Sequence, residues 1–193
     1  MLQNHLKSKK LILASGSSRR QELLKNLGVP FEIRIKPVEE IYAETLQREE
    51  ITDFLAQLKA SVFKADLTAN CILITSDTIV WFKNKALGKP KSLKRAADML
   101  KRLSGSTHEV ITSVSLSSTK KQITFNAKTY VTFRELKAVE IEFYIKNYNP
   151  LDKAGAYGIQ DWIGQIGIKK IHGCYFNVMG FPLNLVYSHL VKF

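Results

Sequence analysis

The apolar run CILITSDTIVWF, residues 71–82, constrains the fold of this chain more than any other stretch. Because it is rich in β-branched residues, it predicts a buried strand, with a bend at Ser76–Asp77. Helical periodicity flanks the run on both sides, over residues 48–65 and again from the Ser92 cap to a stop at Gly105. Strands that alternate with amphipathic helices in this way predict an α/β fold.

The other segments extend this prediction to a mixed sheet flanked by helices. The remaining strand patterns are short apolar or alternating segments, which lie at KLILAS, from Phe31, and as a hairpin at residues 110–116 and 123–133. Further helices are expected over residues 135–148 and after Pro182. We expect one domain over residues 1–193, with a strongly twisted central sheet and two lobes around a cleft.

The segment LASGSSRRQELLKNLG reads as the start of a helix that follows a strand and a small-residue turn. Ser18 with Gln21 fits a capping box, and Gly28 fits a helix stop. The helix dipole disfavours cations at this end, so Arg19 and Arg20 in the first turn predict an anion site. A solvated basic turn is the alternative.

The charge of the chain favours an anionic partner. Its 29 lysines and arginines exceed its 17 acidic residues, which gives a formal net charge of +12. Such a charge suits nucleic acid, a phosphate-rich small molecule or an anionic surface, and alone it does not choose among them. Aromatic and basic residues are not interleaved as in a base-stacking motif, so no specific nucleic acid partner is expected.

Cysteine and histidine content excludes other classes of protein. The two cysteines, Cys71 and Cys174, are far apart in sequence and the four histidines are scattered, so we expect free thiols and no structural zinc. No apolar run approaches the length of a membrane span, and MLQNHLKSKK lacks the features of a signal peptide. We therefore expect a cytoplasmic protein with no membrane partner.

Asp77 is the first candidate for chemistry, because an unpaired carboxylate in an apolar run is costly. It suits a metal ligand or a general base, and equally a turn residue or a helix cap. Glu40 in an acidic corner, and Lys89 in the rigid segment LGKP, fit the protein surface as well as a site. The glycines of NPLDKAGAYGIQ allow close backbone approach, but a loop without a ligand explains them equally.

Taken in order, seven segments resemble those of the Maf family, the septum-formation-inhibitor proteins now regarded as nucleoside triphosphate pyrophosphatases. The segments are LASGSSRRQELL, QLKA, SDTIV, LGKP, MLKRLSGSTHEVITSV, DKAGAYGIQ and IHGCYFNVMGFPL, spanning about residues 11–190. The departures are Ser18 in place of proline, Cys174 in place of serine and Phe181 in place of leucine. The resemblance implies the fold shared by Maf and inosine triphosphate pyrophosphatases.

The resemblance also implies an activity: hydrolysis of a nucleoside triphosphate to the monophosphate and pyrophosphate, with a divalent cation, Mg²⁺ or Mn²⁺. It implies that Asp77 is the proton acceptor and that Glu40 and Asp77 hold the metal. The groups that it assigns to the substrate phosphates are Ser17, Arg20, Lys59 and Lys89. It further implies a homodimer.

Three positions indicate which nucleotide is preferred. Arg19, Thr78 and Gln160 match the positions at which the branch that prefers dTTP and UTP carries Arg, Thr and Gln. A glutamine amide can both donate to and accept from a pyrimidine edge. Modified pyrimidine nucleotides remain alternative substrates. The alternative functions are a nucleic-acid-binding module and a non-catalytic regulator of cell division, although a pure binding surface does not need Glu40, Asp77 and Lys89 together.

Overall fold

The computed structural model describes residues 2–193, and within them seven strands form one mixed sheet. The strands are β1 (Lys10–Leu13), β2 (Phe31–Ile33), β3 (Cys71–Phe82), β4 (Lys85–Leu87), β5 (Thr107–Ser117), β6 (Gln122–Phe133) and β7 (Ile168–His172). Their spatial order is β2-β1-β3-β5-β6-β7, with β4 paired to β3. Because β1 is parallel to β2 and β3 while β4 and β7 are antiparallel to their neighbours, the predicted mixed α/β sheet is confirmed.

The helices account for most of the remaining chain. They are α1 (Leu2–His5), α2 (Ser18–Lys25), α3 (Glu49–Ser61), α4 (Leu93–Leu103), α5 (Ala138–Tyr148), α6 (Trp162–Gly167), α7 (Tyr175–Val178) and α8 (Leu183–Lys192), with single 3₁₀ turns at Lys64–Asp66, Pro150–Asp152 and Ala154–Ala156. The sequence predicted α2, α3, α4, α5 and α8. Helix α5 starts three residues later than expected, because the Glu140 carboxylate accepts the Lys137 N–H at 2.8 Å and caps the helix there.

Strand β3 is the long buried strand that the apolar run predicted. It continues through Ser76 and Asp77 as regular strand, so the expected bend is wrong. Eleven of its 12 residues are buried, and only Thr78 is half-buried. Strand β1 pairs with its first part, up to the Ala14 N–H that donates to the Ile74 carbonyl oxygen at 2.9 Å, and β4 pairs with Val80–Phe82 beyond Asp77.

Helix α6 and strand β7 lie within the glycine-rich stretch 153–180, which gave no sequence prediction of regular structure. A Cβ at Gly164 would meet the Ile159 carbonyl oxygen, and one at Gly167 would lie 2.8 Å from the Leu136 side chain. These glycines therefore permit close packing of a helix rather than marking a loop. Four of the five residues of β7 are exposed, so it lacks the alternation by which a strand is recognised.

The chain divides into two compact units. The first contains the chain up to Asp77 together with Thr112–Ala127 and Gly180–Phe193, and the second contains Thr78–Ile111 and Lys128–Met179. A cluster in the first unit is formed by Ile12, Ala60, Phe63, Cys71 and Leu73. The core of the second unit includes Leu100, Val131, Phe133, Tyr144 and Tyr157. The expectation of one domain over residues 1–193 stays a prediction.

Candidate active site

The turn between β1 and α2 places Ser17 at the start of α2. The Ser17 hydroxyl accepts a hydrogen bond from the Arg20 backbone N–H at 3.5 Å. The backbone of Ser17 is extended, as is usual for the residue that caps a helix N-terminus. The predicted Ser18 cap is therefore wrong by one residue, because Ser18 already lies in the helix. Gln21 does not close a capping box either, since its side-chain amide donates to the Ser15 carbonyl oxygen at 3.0 Å.

Arg20 projects from α2 and binds backbone oxygens of two distant segments. Its Nε donates to the Gly180 carbonyl oxygen at 2.9 Å, and its Nη1 donates to the Ser76 carbonyl oxygen at 2.8 Å. Burial lowers the Arg20 pKa, while the Asp77 carboxylate nearby acts in the opposite direction. The guanidinium thus joins α2 to β3 at the residue before Asp77.

The Lys59 ammonium lies between two carboxylates. Its Nζ is 2.5 Å from Oδ1 of Asp77 and 2.8 Å from Oε1 of Glu40. The Asp77 side chain is 10% exposed and that of Glu40 is 44% exposed, so the cluster leads from the interior to solvent. Glu40 comes from the irregular segment between β2 and α3, and Lys59 from the last turn of α3.

A buried hydrogen bond sets the register of α3 against β3. The Thr75 hydroxyl donates to the Ala56 carbonyl oxygen at 2.7 Å, and both residues are fully buried. Thr75 precedes Asp77 by two residues and Ala56 precedes Lys59 by three, so this bond lies beside the ion pair. The end of a helix also favours a cation, because the last carbonyl oxygens carry partial negative charge.

Asp77 lies inside β3, so the readings of it as a turn residue or a helix cap are wrong. Burial raises the Asp77 pKa above its ordinary value, and the charges of Lys59 and Arg20 oppose that rise. A carboxylate whose pKa is raised by burial holds a proton more readily than an exposed one. The arrangement therefore suits a proton acceptor that is oriented by the Lys59 ion pair and lies in the field of the Arg20 charge.

The second unit contains Thr78, Lys89 and Gln160. Thr78 continues β3 directly after Asp77, and Lys89 is exposed after β4. The Gly155 N–H donates to the Gly88 carbonyl oxygen at 3.2 Å, which ties the DKAGAYGIQ segment to LGKP. Gly155 has φ +68°, and a Cβ there would lie 2.7 Å from the Val80 side chain, so this contact requires glycine.

Gln160 lies in a tight turn that the Asp161 N–H closes by donating to the Gly158 carbonyl oxygen at 3.2 Å. The Gln160 carbonyl oxygen accepts the side-chain amide of Gln165 at 2.8 Å. Its side-chain Oε1 is buried and has no hydrogen-bond partner among residues 2–193. Gln160 also lines a pocket of about 500 Å³ within this unit, together with Gln165, Ile168, Ile171 and Tyr175. A buried acceptor without a protein donor suits contact with a ligand.

Three sequence expectations concern features outside this cluster. Cys71 and Cys174 are free thiols, as expected. In the described part of the chain, no helix has the length and apolar character that crossing a membrane requires. Nowhere in residues 2–193 do three or more histidine, cysteine, aspartate or glutamate side chains converge as metal ligands.

The structure therefore brings together five of the predicted site residues in the first unit: Ser17, Arg20, Glu40, Lys59 and Asp77. Arg19, half-buried in α2, belongs to the same unit. Sequence reasoning missed the two carbonyl oxygens that fix Arg20 and the Thr75 hydroxyl that fixes α3. No sequence signal identifies a backbone oxygen as a partner, whereas a threonine in an apolar strand is a weak indication of a buried hydrogen bond.

Comparison of the amino-acid sequence with known proteins identifies relatives of this chain. The family model of Maf-like proteins matches residues 10–193. The dTTP/UTP pyrophosphatase of Flavobacterium psychrophilum is 54% identical over 100% of this chain and 98% of its own length. The proteins of the same name from Christiangramia forsetii and Phocaeicola vulgatus are 55% and 48% identical, over 98% and 100% of this chain and 97% and 100% of their own lengths.

A solved structure supports the fold independently of sequence similarity. The Ham1 protein of Staphylococcus aureus matches with a TM-score of 0.54 at 16% identity, over 94% of this chain and 98% of that chain. At such low identity the match shows a shared fold alone. The fold expected from the seven segments is confirmed.

Proposed function

The chain belongs to the Maf family, and from that premise we propose that it is a pyrophosphatase that hydrolyses dTTP and UTP to the monophosphate and pyrophosphate. Relatives with the name dTTP/UTP pyrophosphatase are 48–55% identical over nearly the whole chain. In this reaction the oxygen of one water joins phosphorus as the α–β phosphoanhydride bond breaks, and the proton of the water is taken up by a base. Modified pyrimidine triphosphates are further candidate substrates.

The observation that carries the proposal is the placement of Lys59 between Asp77 and Glu40. Asp77 is the proposed proton acceptor, because it is buried, its pKa is raised, and the Lys59 ion pair holds its carboxylate in place. Lys59 holds the Asp77 carboxylate in one orientation and supplies positive charge to the triphosphate. The resemblance on its own assigned Asp77 to proton acceptance and Lys59 to the substrate phosphates, and it gave no contact between the two side chains.

The proposed phosphate-binding groups combine a helix N-terminus with side-chain cations. Ser17 at the start of α2, Arg20 and Lys59 lie in the first unit. Lys89, in the second unit, is proposed as a phosphate ligand on the family resemblance alone. Helix N-termini and cations stabilise phosphate because both place positive charge or N–H donors towards it. In addition to this role, Arg20 fixes the backbone at Ser76 and Gly180.

Glu40 and Asp77 fit a divalent cation. Both carboxylates contact the same Lys59 ammonium, so the two side chains lie close to each other. One or two carboxylates, completed by substrate phosphate oxygens, form the donor set that Mg²⁺ prefers. When bound, Mg²⁺ or Mn²⁺ would neutralise the charge on the phosphate oxygens.

Base selection is proposed for Arg19, Thr78 and Gln160. The buried and unpartnered Oε1 of Gln160 supports this role, because a uracil or thymine base offers an N3–H donor to such an acceptor.

We further propose that the protein is a cytoplasmic homodimer, as its resemblance to the family implies. Its free thiols support a reducing compartment. Light scattering on the purified protein tests the dimer, and a mass corresponding to one chain would refute it. A role in septum formation follows from the family resemblance and is separable from hydrolysis by testing an inactive variant in cells.

The proposed activity is tested by a pyrophosphate-release screen over canonical and modified triphosphates, with and without Mg²⁺ or Mn²⁺. We expect pyrophosphate release from dTTP and UTP in the presence of metal. Release of orthophosphate instead, or no turnover of any triphosphate with metal present, would refute the assignment.

A further inference from the structure

The Tyr144 side chain is fully buried in α5, where the sequence indicates only an apolar helix face. Its hydroxyl donates to Oδ2 of Asp161 at 2.6 Å and accepts the Gly158 N–H at 3.1 Å. Gly158 and Asp161 are the two ends of the turn that carries Gln160. A single hydroxyl group thus holds both ends of that turn.

The turn has little room to adopt another shape. A Cβ at Gly158 would lie 2.5 Å from Oδ2 of Asp161, so the carboxylate packs directly against the glycine. The Lys153 ammonium lies 3.7 Å from the same Oδ2 and 2.8 Å from Asp152. Burial and the Asp161 carboxylate both raise the Tyr144 pKa, so the hydroxyl remains protonated and continues to donate to Asp161.

We propose that Tyr144 is a positioning residue for base selection, which fixes through Gly158 and Asp161 the direction in which Gln160 presents its amide. This inference rests on the proposed function, in which Gln160 contacts the pyrimidine edge. Tyr144 itself does not contact the nucleotide.

The chemistry of the two pyrimidines explains why the direction matters. Uracil offers an N3–H donor beside the O4 acceptor, whereas cytosine offers an N3 acceptor beside the N4 amino donor. A glutamine amide held in one orientation pairs its oxygen with the uracil N3–H and its NH₂ group with O4. Against cytosine, the same orientation places acceptor against acceptor and donor against donor. If the Gln160 amide can rotate by 180°, it pairs with either base. A loosened turn therefore reduces the discrimination between UTP and CTP more than it weakens nucleotide binding.

The test compares Tyr144→Phe with Tyr148→Phe, which removes a hydroxyl from the same helix. Tyr148 is 41% exposed and its ring stacks on that of Tyr144 at 5.2 Å, whereas the hydroxyl that bonds to Gly158 and Asp161 is that of Tyr144. We expect Tyr144→Phe to lower the ratio of kcat/KM for UTP to that for CTP by about tenfold, the scale of one buried hydrogen bond. Tyr148→Phe should leave the ratio unchanged, and Tyr144→Phe should have no further effect on the ratio in a Gln160→Ala background.

Amide hydrogen exchange in the free protein provides a readout that does not depend on activity. Faster exchange at Gly158 in Tyr144→Phe, with exchange in β3 unchanged, is expected. Unchanged exchange at Gly158, or equal losses of kcat/KM for UTP and CTP, would overturn the positioning role. If the wild-type protein turns over no triphosphate, the proposed function fails and the base-selection role with it, while the exchange measurement still decides whether Tyr144 holds the turn.

Discussion

The ammonium of Lys59 is 2.5 Å from Oδ1 of Asp77, and only a tenth of the Asp77 side chain is exposed. Two opposed effects therefore act on one carboxylate, because burial favours its protonated form and the neighbouring cations favour its charged form. The balance between them determines the pH at which Asp77 can accept a proton. Substitutions on either side of this pair are the most direct tests of the proposed chemistry.

Asp77→Asn should lower turnover of UTP by about two orders of magnitude or more, the usual scale for loss of a general base. Asparagine has the shape of aspartate but cannot take up the proton of the attacking water. Steady-state kcat measures the effect, and circular dichroism checks that the sheet is retained. Turnover near the wild-type value would show that Asp77 is not the proton acceptor.

Lys59→Met should move the acidic limb of the kcat/KM profile to higher pH. Lys59 favours the charged form of Asp77, so its removal raises the Asp77 pKa further and activity is lost at a higher pH. Lys89→Met is the matched control, since it removes a proposed phosphate ligand that makes no ion pair with Asp77. Lys89→Met should lower kcat/KM without moving the acidic limb of the pH profile. Identical pH profiles for the two variants would contradict the proposed effect of Lys59 on the Asp77 pKa.

Arg20→Ala should lower kcat/KM for UTP, dTTP, CTP and GTP alike, by about 1.5–3 kcal/mol of transition-state stabilisation. All four nucleotides share the triphosphate that Arg20 is proposed to bind. The melting temperature should fall too, because the Ser76 and Gly180 carbonyl oxygens lose their donor. A loss confined to one base would place Arg20 in base selection instead.

Stability should fall as the pH decreases below 6.5, because of His108. This side chain is 2% exposed, bonds through Nε2 to the Tyr157 hydroxyl at 2.7 Å, and has its pKa lowered by burial to about 3. In the unfolded chain His108 becomes protonated below pH 6.5, whereas in the folded chain it stays neutral down to about pH 3. The free energy of unfolding therefore decreases by up to about 1.4 kcal/mol per pH unit across that window.

Urea denaturation at pH 7, 6 and 5 measures this dependence against a His108→Gln variant. Glutamine has no group that titrates in this range, so the variant should lose less stability between pH 7 and pH 5 than the wild type. Parallel losses in the two proteins would assign the pH dependence to other groups.

The sequence was sufficient to predict those elements whose periodicity reflects burial. Helix α4 repeats its apolar residues along one face, and Ala96, Leu100 and Leu103 on that face are fully buried. Asp77 could be singled out for a related reason, since a carboxylate in an apolar strand conflicts with its surroundings. Its role came from the family resemblance, because the pattern alone does not distinguish a base from a metal ligand.

Contacts made by backbone atoms could not be predicted in this way. Arg20 bonds to a carbonyl oxygen 160 residues further along the chain, and a carbonyl oxygen is the same in every residue type. The hydrogen bonds of the Tyr144 hydroxyl could not be predicted either, because in the sequence a tyrosine on a buried helix face is indistinguishable from any other large apolar residue. Both contacts depend on how distant segments pack together in the tertiary structure, and not on the secondary-structure preference of the residues involved.

The division of the chain falls at the peptide bond between Asp77 and Thr78, within an unbroken strand. The residue proposed for proton transfer and one proposed for base choice are therefore neighbours on opposite faces of β3. One residue inserted at this peptide bond would bring the two side chains onto the same face, because successive side chains alternate along a strand. A substitution at Thr78 can therefore alter the proposed base choice without changing the strand register that places Asp77.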